Sequence, residues 1–287
     1  MKYLFRILCA VALGMLLSCG EYNKLSKSRD YMVKYEAAKE YFAMGSYNRA
    51  ALFLQETVTV LKGTDRGEEC LYLLAMSNYR ARNYSAAAQY FRKYYQAYPR
   101  GIYTEEAQFY CGKSLYADVP DTRLDQTATF EAVTEFQNYL ENYPTGSRAR
   151  EAQDCIFALQ DKLVEKEYLS AKLYFDLGPY FGNCTNGGSN YQACIVTAEN
   201  AIREYPYTSR REDLAFLILR AKFDLAAQSV DAKKEERYHD AIDEYYGFTN
   251  EFPESRFKKE AEALYRKARK YVKSSDTEED VTGLSQR

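Results

Sequence analysis

Apolar and polar positions recur along this chain in one frame. It is clearest at Tyr84, Ala87, Phe91 and Tyr94, followed by Pro99. The offsets are 0, +3, +7 and +10, with a proline at +15. Thr129, Ala132, Phe136, Tyr139 and Pro144 repeat it, as do Tyr191, Cys194, Ala198, Ala201 and Pro206. So do Tyr238, Ala241, Tyr245, Phe248 and Pro253, while an earlier copy, Tyr47, Ala50, Leu54 and Thr57, has Lys62 in place of the proline. The first four offsets fall on one stripe of a 3.6-residue helix. The small residue at +3 lets a partner helix approach, and proline ends the helix and restricts the residue before it.

A second feature runs in phase with the first. After Pro99, Pro144 and Pro253 the chain reads a Gly or Ser turn, then an acidic residue early in a new helix that reaches Ala107, Ala152 or Ala261. After Pro206 the same place holds Thr208-Ser209, Glu212 and Asp213. Acidic side chains there suit the positive end of a helix. Each frame helix thus has a leading partner. A helix hairpin this short cannot bury its stripe alone, so copies must stack. The spacing is that of the second helix of a tetratricopeptide repeat. The expected fold is all-α: a right-handed superhelical solenoid of about five such helix pairs over residues 31–273, closed by a capping C-terminal helix. Three departures stand out. Residues 117–126 make an enlarged loop with Pro120. Residues 147–177 stay helical without Gly or Pro, as one long helix or two nearly continuous ones. Residues 178–190 are a Gly/Asn-rich loop. The acidic tail, 274–287, reads as disordered.

The N-terminus changes the picture. Lys2 and Arg6 precede an apolar run from Ile7 to Leu17, far short of the roughly 20 residues a membrane span needs. A basic start and a short apolar run make a secretory signal, 1–18. It ends Leu16-Leu17-Ser18-Cys19, which resembles the bacterial lipobox and implies lipid on Cys19 and anchoring by acyl chains. No Asp follows Cys19, which favours the outer membrane, and residues 19–30 read as a lipidated tether.

Composition excludes more than it assigns. A net charge of -2 over 287 residues argues against general nucleic-acid binding. The 29 tyrosines and absent tryptophan are explained in good part by the frame. No nucleophile, base, metal or phosphate motif appears, no cofactor is implied, and the single histidine, His239, faces away from the stripe. The enzyme reading is rejected on that ground. Of the cysteines left after signal removal and lipidation, Cys70, Cys111 and Cys155 are expected to be buried. Cys194 is either a buried small residue or bridged to Cys184 across the Gly/Asn loop. The last helix is basic, a solubilising cap or a docking surface.

Together the lipobox, five repeats, the phrases Glu141-Asn142-Tyr143-Pro144 and Arg203-Glu204-Tyr205-Pro206, and the long stretch Leu159 to Tyr174 resemble the BamD family. These are the tetratricopeptide lipoproteins of the outer-membrane β-barrel assembly machine. The resemblance implies a non-catalytic scaffold on the periplasmic face of the outer membrane. Its C-terminal repeats would dock on the POTRA domains of BamA and it would meet other subunits of the machine. Its N-terminal repeats would receive unfolded outer-membrane β-barrel proteins. The docking candidates are Arg203, Arg266 and Arg269. The peptide-groove candidates are Tyr35, Lys39, Tyr72, Tyr79, Tyr103 and Tyr110; some must be core, and at least two are expected to line an exposed groove. The competing readings are another tetratricopeptide lipoprotein: a cell-wall or division coordination factor, a secretin pilotin or a glycan-binding lipoprotein.

Overall fold

The computed structural model describes residues 22–178 and 189–284, with side chains described as far as Val272. Every regular element among them is helical: α1 (Tyr31–Ala43), α2 (Tyr47–Thr57), α3 (Gly67–Arg80), α4 (Tyr84–Ala97), α5 (Thr104–Asp118), α6 (Thr127–Asn142), α7 (Ala149–Asp176), α8 (Asn190–Glu204), α9 (Arg211–Ala227), α10 (Asp231–Glu251) and α11 (Lys258–Leu284). Successive helices pack on one another from α1 to α6 and from α8 to α11. Two compact units result. One holds the chain to Asp121 and Asp125–Ile156; the other holds Thr122–Leu124 and the chain from Phe157.

The frame is what the cores are built from. Its +3 position is buried in all five copies: Ala50, Ala87, Ala132, Cys194 and Ala241. In the first unit, Phe91 and Tyr94 join Leu71, Tyr72, Ala75 and Cys111, and Leu54 joins Tyr35, Phe53, Cys70 and Leu74. In the second, Tyr191, Cys194, Ala198 and Ala201 pack with Val164, Ala171, Leu214 and Ile218.

Turns obey the same economy of shape. Gly45 ends α1 at φ 76°, with its N–H on Phe42 O and the Ser46 N–H on Tyr41 O, a left-handed helix stop that suits glycine. Arg82 stands in the same place after α3, at φ 64°, and bears the cost of a Cβ in that conformation.

The acidic residues of the leading helices do more than face a helix end. Glu68 on α3 accepts from Tyr94 Oη at 2.5 Å and from the Ile102 N–H at 2.8 Å, so it holds the turn that starts α5. Glu105 on α5 repeats the arrangement with Tyr139 Oη at 3.0 Å and the Ser147 N–H at 3.1 Å, ahead of α7. The turn glycines leave room for this. A Cβ on Gly101 would lie 2.5 Å from Glu68 Oε1 and 2.7 Å from Tyr94 Oη, and one on Gly146 would lie 2.6 Å from Glu105 Oε1 and 2.8 Å from Tyr139 Oη. The second unit solves the same problem differently. Asp161 accepts from Thr208 Oγ1 at 2.8 Å and the Ser209 N–H at 3.1 Å. Glu212 accepts from Ser255 Oγ at 2.6 Å and the Arg256 N–H at 3.2 Å. Thr208 and Ser255 stand where the first unit has glycine, and the frame's +10 residue is then Ala201 or Phe248, with no hydroxyl. One hydroxyl meets each carboxylate, from the core tyrosine or from the turn.

Several boundaries differ from the expected ones. α10 begins seven residues before Tyr238, because nothing between Asp231 and Tyr238 stops a helix. α11 keeps a helical backbone to Leu284, into the tail expected to be disordered; no proline or glycine interrupts it before Gly283. Within the stretch read as a tether, residues 22–26 are helical, and Tyr22 and Leu25 pack against the core at α1 and α2. The long helix is one continuous element, α7, of 28 residues.

Tyr139→Phe should lower unfolding free energy by about 1 kcal/mol, and Gly146→Ala by about 1–3 kcal/mol, in urea denaturation. Combining Tyr139→Phe with Gly146→Ser should recover part of the loss, because it copies the arrangement at Glu212. Arg82→Gly should raise stability by roughly 0.5–1 kcal/mol.

Candidate binding surfaces

On the first unit, the leading helices α1, α3 and α5 carry most of the tyrosines proposed as groove residues. Tyr35 and Tyr72 are 1% and 8% exposed and belong to the core, where some of the six candidates were expected to lie. Their rings extend the frame's apolar stripe across to the neighbouring helix, so burial takes both. Tyr35 Oη donates to Glu69 Oε2 at 2.5 Å, and Tyr72 packs edge-on to Phe91 and Tyr94. Tyr79, Tyr103 and Tyr110 are half-buried. Tyr103 precedes α5 rather than lying within it and stacks on Tyr72 at 4.2 Å. Tyr79 meets Tyr110 edge-on at 5.0 Å.

Cations border these rings. Lys39 lies over the Tyr35 ring and pairs with Glu69 at 2.8 Å. Arg148, from the start of α7, lies 5.2 Å from the Phe109 centroid and 5.9 Å from that of Tyr110. Lys113 bridges α5 to α7 through Glu151 at 3.1 Å. Burial alone would raise the carboxyls of Glu69 and Glu151, but hydrogen bonds from Lys39 and Tyr35 to the first, and from Arg148 and Lys113 to the second, hold both below the ordinary carboxylate range. The tyrosine hydroxyls move the other way. Burial first, then the hydrogen bond to Glu105, pushes Tyr139 up to about 12, so it stays a donor. None of Glu69, Lys113, Arg148 or Glu151 was a candidate site residue in the sequence. The available signal was the period: Tyr35 meets Glu69, Glu68 meets Ile102 and Glu105 meets Tyr139, each 34 residues apart.

On the second unit the three arginines have unequal surroundings. Arg203, at the end of α8, is exposed and donates to Asn200 at 2.5 Å. Arg266 is exposed and pairs with Glu262 at 3.1 Å along α11. Arg269 donates to Tyr265 Oη at 2.7 Å and so joins an aromatic group that the sequence analysis did not single out. There Tyr245 stacks on Tyr265 at 4.4 Å, and the Tyr246 and Tyr265 hydroxyls meet at 2.8 Å. Arg203 is not brought to this group.

The cysteines are packing residues. Cys70, Cys111, Cys155 and Cys194 are buried free thiols. Burial pushes the Cys194 thiol up to about 12. Cys184, its suggested disulfide partner, lies outside the described residues, as does Cys19. Among the described residues, no group of three or more His, Cys, Asp and Glu could hold a metal ion, and no helix is long and apolar enough to cross a membrane. His239 is exposed.

Two similarities bear on these surfaces. The sequence model of the YfiO family, described as "Outer membrane lipoprotein", matches residues 28–186, more than half of the chain. A protein of Aquifex aeolicus (strain VF5), provisionally named outer membrane protein assembly factor BamD, is 26% identical over 246 residues. That match spans 84% of this chain and 76% of the relative.

The depressed carboxyl of Glu69 stabilises the fold fully above the ordinary carboxyl value of 4.5, and that contribution is lost as pH falls through its lower folded value. Glu69→Gln should therefore lose less stability than the unaltered chain between about pH 6 and about pH 3.5, read by urea denaturation. An equal loss in both proteins would remove Glu69 as a source of acid sensitivity.

Proposed function

The chain belongs to the YfiO family of outer membrane lipoproteins, and from that premise we propose that it is a non-catalytic scaffold of the outer-membrane β-barrel assembly machine. The observation that carries the reading is the family match over residues 28–186, which hold three complete helix pairs and all of α7. The relative named as an assembly factor supports the same reading. Cys19 would carry the lipid, with the folded part on the periplasmic face.

The two surfaces suit two partners. Tyr79, Tyr103 and Tyr110, with Lys113 near Tyr79 and Arg148 over Tyr110, offer broad aromatic area beside cations. An unfolded barrel protein can be held there by its C-terminal segment, through ring contacts and a carboxylate. Binding stays modest because the segment must be ordered on capture and released for insertion. The α10–α11 group, Tyr245, Tyr246, Tyr265, Arg266 and Arg269, has the Tyr and Arg composition of an interface centre and would dock on the POTRA domains of BamA. Arg203 would add a separate contact.

Depletion of the chain should lower the amount of folded barrel proteins in the outer membrane. Normal barrel levels with loss of pili or of septation would instead assign it to another lipoprotein pathway. Tyr110→Ala should weaken binding of a barrel-protein C-terminal peptide by about tenfold in fluorescence anisotropy. Arg266→Glu with Arg269→Glu should leave that affinity unchanged and lower co-purification of BamA.

A further inference from the structure

We infer that the N-terminal edge of the first unit, Lys24, Lys27 and Arg29 with the groove beside them, is a contact surface for anionic phospholipid headgroups. It rests on the acylation of Cys19 proposed above and adds to it an orientation for this unit.

The first argument is length. Tyr22 and Leu25 are packed into the core, Tyr22 against Phe53 at 5.4 Å and Tyr41 at 6.4 Å, with Arg49 over its ring at 5.4 Å. Only Gly20 and Glu21 separate the acylated residue from that fixed point. Three extended steps reach about 11 Å. A bilayer that holds Cys19 therefore lies within about 11 Å of Tyr22, too close for a freely tumbling tether.

The second argument is charge and surface chemistry. Lys24, Lys27 and Arg29 are exposed. The acidic residues nearest in sequence are Glu21 and Asp30, and Asp30 is engaged in capping α1 through the Met32 and Val33 N–H groups at 2.9 and 3.3 Å. With Arg49 the edge is net positive. Beside it opens a groove of about 690 Å³ with Leu25, Met32 and Val33 on its walls and Lys24 and Arg66 among its charged residues. Glu36 and Glu40 also line it, and Glu36 faces Arg66 at 3.9 Å. Tyr31 and Val33 remain 42% and 45% exposed. Cations, a tyrosine and aliphatic side chains together match the headgroup boundary of a bilayer, where each basic residue strengthens association with an anionic surface by roughly fivefold.

The test uses full-length acylated protein in vesicles of phosphatidylethanolamine with and without phosphatidylglycerol. Ser26→Cys in a Cys184→Ser background carries an environment-sensitive fluorophore, and lipids brominated near the headgroup quench it on contact. Strong quenching, greater with phosphatidylglycerol and lower in high salt, is expected. Lys24→Glu, Lys27→Glu and Arg29→Glu together, with ten Gly/Ser residues inserted after Gly20, should reduce quenching about twofold or more while the protein still sediments with vesicles. Acylated, vesicle-bound protein whose label stays in water overturns the contact surface and leaves the anchor standing. Equal quenching in the altered protein overturns it too. A mass spectrum without acyl groups at Cys19 overturns the anchor and, with it, this inference.

Discussion

A carboxylate on one leading helix holds the turn that begins the next, and the stacking of repeats depends on it. Each helix pair is too short to bury its stripe alone. Apolar contact brings neighbours together without fixing their register, because that attraction is non-directional. The bonds from Glu68, Glu105, Asp161 and Glu212 to backbone N–H groups supply the direction. Each carboxylate also meets one hydroxyl. That need explains the turn glycines of the first unit and their replacement by Thr208 and Ser255 in the second.

Much of this was legible beforehand. Periodicity at 3.6 residues, proline stops and small residues at +3 sufficed for the helices α1 to α11 and for the burial of the +3 residues. Position within a period is a local property, and local properties are what a sequence displays. Ends were less legible. α10 and α11 run past their expected limits because no residue there forbids a helix, and permission leaves a fainter mark than a proline does. Partners across a period were the least legible. Glu69 lies in the first turn of α3, where an acidic side chain suits the helix end, and only its contacts with Lys39 and with Tyr35, one period earlier, make it a half-buried tie between repeats. Which of the six candidate residues are core was not legible, because tyrosine serves both core and surface, and the stripe alone does not say which of two neighbouring helices a ring will cover.

The faces of the stacked helix pairs carry the groups described above. In the first unit those faces carry half-buried tyrosines beside cations; in the second, stacked tyrosines beside Arg269. Membership of an outer membrane lipoprotein family gives those faces a location. Their chemistry is aromatic area beside positive charge.

The buried thiols have one more consequence. Cys70, Cys111, Cys155 and Cys194 are kept from oxidants by packing, and burial raises each thiol so that little thiolate exists at neutral pH. That protection exists only in the native state. A chain exported unfolded into an oxidising compartment exposes all four at once, and stray cross-links would compete with helix pairing. Speed of collapse then becomes the safeguard, and the short-range contacts of a repeat array, each pair closing on its neighbour, favour it.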